Sequence, residues 1–440
     1  MKNPRFLYLL LLILFVTSCS KDQFVDPQDQ LKDDAVTLKS SSPKIEIAVI
    51  SDIHYLDPSL MPDDPGNNPD FQIKMSTDRK LIELSDPIFR KAVSEIIAEK
   101  PDILLITGDM TSEGELKSHE TVKGFLQQIE NEGIKVYVVP GNNDIYNPDA
   151  VSYKSSPPEH VANIDAAQFV SNYGNFGYNE ALYRDANSLS YICQPCSGLW
   201  ILGIDAIKYS SSKRSGAINS ATMIWIQEKM AEASENNITV VAMMHYGIIE
   251  HYAGQNGLEP LIKSSQTNAQ ALMNAGIKLI FTGHYHANDI VDYSYEGKTL
   301  TDIETGSLVT PPSPYRIMTL DDNFIKIDTR RVTDVVSEVT GDMDFLTYSD
   351  VTITNRVNGF FSYYLPLLFG FTEEQAKFAA PYLTNGYKAY FAGDEKISPE
   401  ESKNLNVLAE APYTPILGIT KSFWTDLPPY SDNKIHIKLK

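Results

Sequence analysis

The sequence is poor in cysteine, with 3 residues in 440. So few cannot build a disulfide scaffold, and no pair of C-x-x-C motifs is present to hold structural zinc. Positive charge is scarce too. Lys and Arg total 37 against 57 Asp and Glu, a formal charge of −20; the surface field repels long polyanions, and no polymeric nucleic acid is expected as a partner. Long apolar runs are missing: Phe6 to Val16 is too short to span a bilayer stably, and nothing points to a multi-span membrane protein. What remains is an ordinary globular composition, 42% hydrophobic and 21% charged, able to bury a large core. At this length two domains are expected, since single cores stop growing near ~250–300 residues.

The start of the chain is an address. Lys2 and Arg5 precede the run Phe6 to Val16, the pattern of a secretory signal over residues 1–18. Val16-Thr17-Ser18-Cys19 resembles the lipobox of bacterial lipoproteins, in which the Cys becomes the acylated first residue of the mature chain; a cleaved signal with an incidental Cys is the alternative. Ser20-Lys21-Asp22 resembles a surface-export signal. The implied location is a bacterial cell envelope, with the chain lipid-anchored to a membrane, at the outer membrane or the cell surface. Residues 19–43 are polar and without periodicity, and read as a flexible tether.

Five apolar runs then end in metal-ligand chemistry. Ile45 to Ile50 empties into Asp52-Ile53-His54, whose outer residues point the same way on an extended chain. Ile103 to Thr107 leads to Gly108-Asp109, Val136 to Val139 to Gly141-Asn142-Asn143-Asp144, Ile238 to Met244 to His245, and Ile277 to Phe281 to Gly283-His284-Tyr285-His286. Helical spacing separates the runs: Phe89, Val93, Ile96 and Ile97; Val122, Phe125, Leu126 and Ile129; the stretch around Ile224, Trp225, Glu228 and Met230; and Asn268 to Asn274. Strands alternating with helices imply an α/β fold, and ligands of such sheets bind at the carboxyl ends of strands. Every cluster sits at that end. Taken singly, Gly-Asp or a lone His after a strand is an ordinary turn or core feature. The ordered set is far more specific.

Asp-x-His, Gly-Asp, Gly-Asn-x-Asp, His and Gly-His-x-His, each behind a strand, resemble the calcineurin-like metallophosphoesterases over residues 44–332. The resemblance implies an αββα sandwich, followed here by a small C-terminal helical domain and irregular tail over 333–440. It also implies two divalent metal ions. Asp52, His54 and His286 would hold one, Asn142, His245 and His284 the other, and Asp109 would bridge them. Carboxylate, amide and imidazole without thiolate suit Mn, Fe or Zn. Two such ions, roughly 3.5–4 Å apart, share a hydroxide that attacks phosphorus in line. The expected substrate is a small phosphate ester, a diester first and a monoester as the rival; a non-catalytic surface binding lipoprotein is the alternative from another class.

One position departs from the family. Where most members place a His that serves as an acid, this chain has Asn143, and an amide donates a hydrogen bond but transfers no proton. Asn143 and His245 are the expected catalytic-site pair, with Tyr246 or His251 as substitutes for the missing acid. The polar segment from Tyr55 to Asp78, loop-like between Met61 and Phe71, should overhang the site. Asp78-Arg79-Lys80-Leu81 resembles a secreted subgroup acting on cyclic nucleotides and other phosphodiesters, and Arg79 and Lys80 are candidates to meet a phosphate, solvated charges being the plainer reading. His119, Lys123, Lys208 and Arg214 have no spacing that sets them apart from surface.

A hairpin is expected around Gln194 to Gly198, where Cys193 and Cys196 are candidates for a disulfide, free thiols and a redox pair being the alternatives. Further on, Phe360 to Phe371 is densely apolar but carries Pro366 and Gly370 and is too short for a membrane span. Thr372 to Gln375 fits a capping box opening a helix that Pro381 should break. Pro412, Pro415, Pro428 and Pro429 suggest an irregular end.

Overall fold

A computed structural model of the chain describes residues 44–209, 216–321 and 324–439. The expected signal, Cys19, the tether and Arg214 lie outside the described residues. β1 (Ile45–Ile50), α1 (Pro69–Thr77), α2 (Ser85–Glu99), β2 (Ile103–Ile106), α3 (Leu116–Asn131) and β3 (Lys135–Val138) form the first half of the α/β region. The three strands lie parallel and adjacent. A two-residue pair, β4 (Val151–Ser152) and β5 (Glu159–His160), precedes α4 (Ala166–Asn172), β6 (Tyr183–Arg184), β7 (Tyr191–Cys196) and β8 (Leu199–Gly203). α5 (Ser220–Glu235), β9 (Thr239–Met243), α6 (Gln255–Leu258), α7 (Ser265–Asn274) and β10 (Leu279–Thr282) follow, then β11 (Ile290–Tyr295), β12 (Lys298–Glu304), β13 (Pro314–Leu320) and β14 (Phe324–Arg331).

The strands build two sheets, in the orders β15-β14-β13-β1-β2-β3 and β11-β12-β10-β9-β8-β7-β6, where β15 is Lys434–Lys438. One buried cluster joins Val49, Leu105 and Val138 of the first sheet to Ile201, Val241 and Phe281 of the second, so the sheets face each other across a shared core. Phe89 and Val122 of α2 and α3 belong to the same cluster, while Ile226 and Met230 of α5 and Leu272 of α7 cover Leu202, Ala242 and Ile280 on the other side. Helix, sheet, sheet, helix is the layering that the family resemblance implies. It places the carboxyl ends of β1, β2, β3, β9 and β10 along one rim.

The C-terminal region holds α8 (Phe345–Phe369), α9 (Glu373–Ala392), α10 (Pro399–Asn404) and α11 (Thr414–Ser422) around a third core that includes Leu365, Leu383, Tyr387 and Phe423 and takes in Tyr252 and Ala287 from the sandwich. The capping box at Thr372 and Gln375 is present. No helix of the described residues is long and apolar enough to cross a membrane.

Four local expectations are corrected. Pro381 does not break α9: the carbonyl it orphans belongs to exposed Lys377, which faces water, while Ala379, Ala380, Leu383 and Thr384 are buried on either side. The end of the chain is not irregular throughout. Pro415 opens α11 from its first turn, and β15 adds Ile435 and Ile437 to the main core while Lys434 and Lys438 face solvent, the habit of a guarded edge strand. The segment from Met61 to Phe71 holds one 3-10 turn, Pro65–Asn67, and the start of α1, whose N-cap Asn68 receives Phe71 N–H. Finally, Cys193 and Cys196 are free thiols. Both sit on β7, on either side of a shift in its register against β8; Cys193 is buried, its thiol donating to Gly177 O, and Cys196 is exposed, so the two thiols lie in different surroundings.

Buried charge fastens α8 to the sandwich. Arg356 reaches Glu83 at 2.8 Å and also donates to Lys80 O, and Tyr348 donates to the same Glu83 carboxylate. Arg356→Ala leaves that carboxylate buried without its partner and should lower stability by about 3–5 kcal/mol, whereas the pair Arg356→Met with Glu83→Gln recovers most of the loss. Urea midpoints of the three chains check this.

Candidate metal centre

Three of the five rim strands, β1, β2 and β10, deliver their ligands through a sharply turned backbone. Asp52, His54, Asp109, His284 and His286 all have positive φ, between 44° and 80°, a conformation that non-glycine residues adopt only when their surroundings over-determine it. The neighbouring glycines allow the approach. A Cβ on Gly283 would lie 2.0 Å from Ser51 Oγ and 2.4 Å from Asp52 Oδ2, and one on Gly141 would lie 2.1 Å from Asp109 Oδ1.

The side chains meet as two groups. In the first, His54 Nε2 and His286 Nε2 are 3.1 Å apart, and each lies close to Asp52 Oδ1, at 3.6 and 3.5 Å. In the second, His245 Nε2 stands 3.1 Å from Asn142 Oδ1, 3.3 Å from His284 Nδ1 and 3.4 Å from Asp109 Oδ2. The same Asp109 Oδ2 is 3.7 Å from His54 Nε2. Asp109 therefore touches both groups. Metal–ligand bonds of about 2.0–2.2 Å put neighbouring ligand atoms about 2.9–3.6 Å apart, the spacing seen here. Asp52 Oδ1 is buried with no hydrogen-bond partner, and the close Nε2 pair would set lone pair against lone pair without a shared cation or proton. The donor set fits divalent ions of borderline to hard character. All seven residues singled out in the sequence converge.

Neighbours fix which atom of each ligand faces inward. His245 Nδ1 donates to Thr107 O at 2.9 Å, and His286 Nδ1 pairs with Thr310 Oγ1 at 2.9 Å, so both rings aim Nε2 at the centre. Asp52 Oδ2 accepts from His284 N–H at 2.9 Å and from Ser51 Oγ, which joins the loops of the two sheets. Ser307 Oγ donates to Asp52 O. Thr107, Thr310, Ser51 and Ser307 were not legible as site residues, because a hydroxyl at a loop carries no spacing signal. His119 is buried rather than on the surface: Nε2 donates to Asp144 O at 2.9 Å and Nδ1 meets Tyr173 OH at 2.7 Å, while the Asp144 carboxylate receives Gly141 N–H and Thr111 N–H. These bonds shape the loop that carries Asn142 and Asn143.

The electrostatics follow from burial in one small volume. Burial pushes the Asp52 carboxyl up, but the adjacent imidazoles of His286 and His54 outweigh it and hold it well below the ordinary carboxylate range. Asp109 is likewise burdened by burial and held low by His245 and His54. Burial depresses His245, yet Asp109 beside it drives the imidazole up to about 9. Burial and the charge of His245 bring His284 down to about 3, and burial brings His286 down to about 4 despite Asp52. Burial and Asp109 raise Asp144 to about 7.

The candidate auxiliaries separate. Asn143 donates N–H to Asp109 Oδ1 at 2.7 Å and its amide Nδ2 to Oδ2 at 2.6 Å, against the central carboxylate. The Tyr246 ring lies 4.1 Å from that of His284, so Tyr246 borders the centre. His251 does not. It is buried among Asp289, Asp302 and Glu304, at 3.2, 3.5 and 3.9 Å, which fix it as a structural cation. Arg79 turns away to Glu259, Tyr387 and the face of Phe360, spending its charge on the C-terminal helices. Lys80 stays near: its charge helps depress His286, and Nζ is 3.6 Å from Asp78. Lys208 is exposed.

The family model for calcineurin-like phosphoesterases matches residues 45–288. The chain belongs to this family. A curated relative named a probable cyclic nucleotide phosphodiesterase, from Vesicomyosocius okutanii subsp. Calyptogena okutanii, is 27% identical over 112 residues, which is 24% of this chain and 47% of the relative; the match thus spans about half of the relative's length. Among solved structures, a dimetal phosphatase from Danio rerio is similar over 65% of this chain and 96% of its own, with 14% identity and a TM-score of 0.46. A purple acid phosphatase from yellow lupin seeds is similar over 67% of this chain and 52% of its own, with 12% identity and a TM-score of 0.41. Membership makes the protein a metal-dependent phosphoesterase by family.

His119 gives a pH signature apart from the ligands. Burial lowers its imidazole to about 3, whereas in the unfolded chain it titrates near 6.5. Below pH 6.5 the unfolded state takes up a proton that the folded state refuses, so stability falls as pH falls. Between pH 7 and 5 this amounts to about 2 kcal/mol. His119→Gln should flatten the acid limb of a urea-stability profile by that amount; an unchanged limb refutes the assignment.

Proposed function

We propose that the protein is an exported, lipid-anchored phosphodiesterase that hydrolyses small phosphate esters on a dinuclear centre. Asp52, His54 and His286 would hold one metal ion, Asn142, His245 and His284 the other, with Asp109 shared. Such an ion pair, when bound, supplies Lewis-acid polarisation of a phosphoryl oxygen and an activated water. The chain's own residues do the rest. Thr107 and Thr310 lock the imidazoles of His245 and His286, so that no ligand has to reorient during turnover. Lys80 offers positive charge to a phosphoryl oxygen next to His286.

The preference for diesters rests on Asn143. Its amide hydrogen is committed to Asp109 Oδ2 and cannot be transferred to a leaving alkoxide. Loss of a general acid slows ester cleavage by ~10²–10⁴-fold, and least where the leaving group is already good. Activated leaving groups are therefore favoured, with Tyr246 as the proton donor standing nearest to His284. The name of the 27% identical relative supports the same substrate class.

A panel of bis-aryl, mono-aryl and alkyl phosphates assayed with added Mn or Zn tests this. The bis-aryl ester should give the highest kcat/KM, and Asn143→His should raise kcat on alkyl esters by about 10-fold or more while changing aryl esters little. Faster mono-aryl turnover makes the protein a phosphatase instead. For the anchor, Cys19→Ser should move the protein from the membrane to the soluble fraction and abolish incorporation of labelled palmitate; retention of the label refutes it.

A further inference from the structure

A second concentration of buried acid lies behind the centre. Asp289 follows His286 by three residues, Glu395 lies just past the end of α9, and Asp426 and Asp432 flank the turn between α11 and β15. One carboxylate oxygen each from Asp289, Asp426 and Asp432 lie within 4.8 Å of one another. Glu395 is only 7% exposed, and its Oε2 is buried with no hydrogen-bond partner; its strongest electrostatic neighbours are those same aspartates, Asp289 first. Asp426 Oδ1 is also buried without a partner.

Little positive charge reaches the cluster. Arg316, fully buried, donates to the carbonyls of Asp289, Glu304 and Asp432 and to Thr329 Oγ1, not to these carboxylates. His251 supplies one counter-charge, 3.2 Å from Asp289, but shares it with Asp302 and Glu304, and Lys396 is exposed. Burial and mutual repulsion hold Glu395 up to about 11, Asp432 up to about 9 and Asp426 up to about 7. Buried like charges at this density call for a counter-cation or for retained protons.

We infer that Asp289, Glu395, Asp426 and Asp432 form a site for one Ca2+ ion, separate from the dinuclear centre, that ties the C-terminal segment to the loop carrying His286. The donors are all oxygen, which selects a hard cation over Zn or Fe. They come from three chain segments in an irregular array, which suits the flexible shell of Ca2+ better than the strict octahedron of Mg2+. Ca–O bonds of about 2.3–2.6 Å place oxygens of one shell ~3–5 Å apart, in keeping with the cluster.

The experiment uses the full chain equilibrated with millimolar Ca2+ and then desalted. Elemental analysis should find one Ca2+ equivalent in the wild type, none in Asp426→Asn, and the same Mn or Zn content in both. Replacing EGTA by Ca2+ should raise the melting temperature by about 3–6 °C, in the wild type and in Asp52→Asn alike, with Mg2+ giving a smaller shift. If Asp426→Asn does not fold, the comparison of wild type with Asp52→Asn decides. Absence of a Ca2+ equivalent, a Ca2+ content unchanged by Asp426→Asn, or a shift lost in Asp52→Asn overturns the proposal; the first would mean that the carboxyls keep their protons.

Discussion

A single buried carboxylate has to face two groups of imidazoles at once. Asp109 can do so only because β2 lies between β1 and β3, and because the second sheet brings β9 and β10 to the same rim. The core between the sheets sets that alignment. Slide either sheet by one residue and the strand ends would present the opposite face, since side chains alternate along a strand. Burial of the strands thus fixes the geometry of the centre from below, and the hydroxyls and carbonyls around it fix the rotation of each ring from the side.

The rim is also where local conformation is least comfortable. Five ligand-bearing residues hold left-handed backbone angles, each costing of order 1 kcal/mol or more. Such turns persist because the strands beneath are fully buried and the loops are laced together, as where His284 N–H and Ser51 Oγ converge on Asp52 Oδ2. Strain and function occupy the same residues, with the stability supplied elsewhere in the fold.

Much of this was legible in the sequence because both signals are local. An apolar run followed within a few residues by Asp, Asn or His is visible without knowing the topology, and a sheet rim makes such runs converge. What escaped depends on distant partners. Thr310 matters only because β13 runs beside β1 and brings its preceding loop to His286. His119 looked like a surface residue on α3 until Asp144 and Tyr173 enclosed it. Arg79 and His251 had suitable chemistry but were claimed by Glu259 and by Asp289, contacts made across more than thirty positions of chain. Pro381 and the final strand escaped because tertiary burial overrode local rules about proline and short polar runs.

The pairing of β15 with β14 closes one edge of the first sheet. The outermost strand of the sheet that carries Asp52 and Asp109 is β15, which returns to β14 only after the whole C-terminal helical region has intervened. Without it, β14 would offer an open edge, and the inner face covered by Ile435 and Ile437 would be wet. Loss of β15 alone would thus keep every ligand of the centre and yet leave a raw sheet border open to neighbouring molecules.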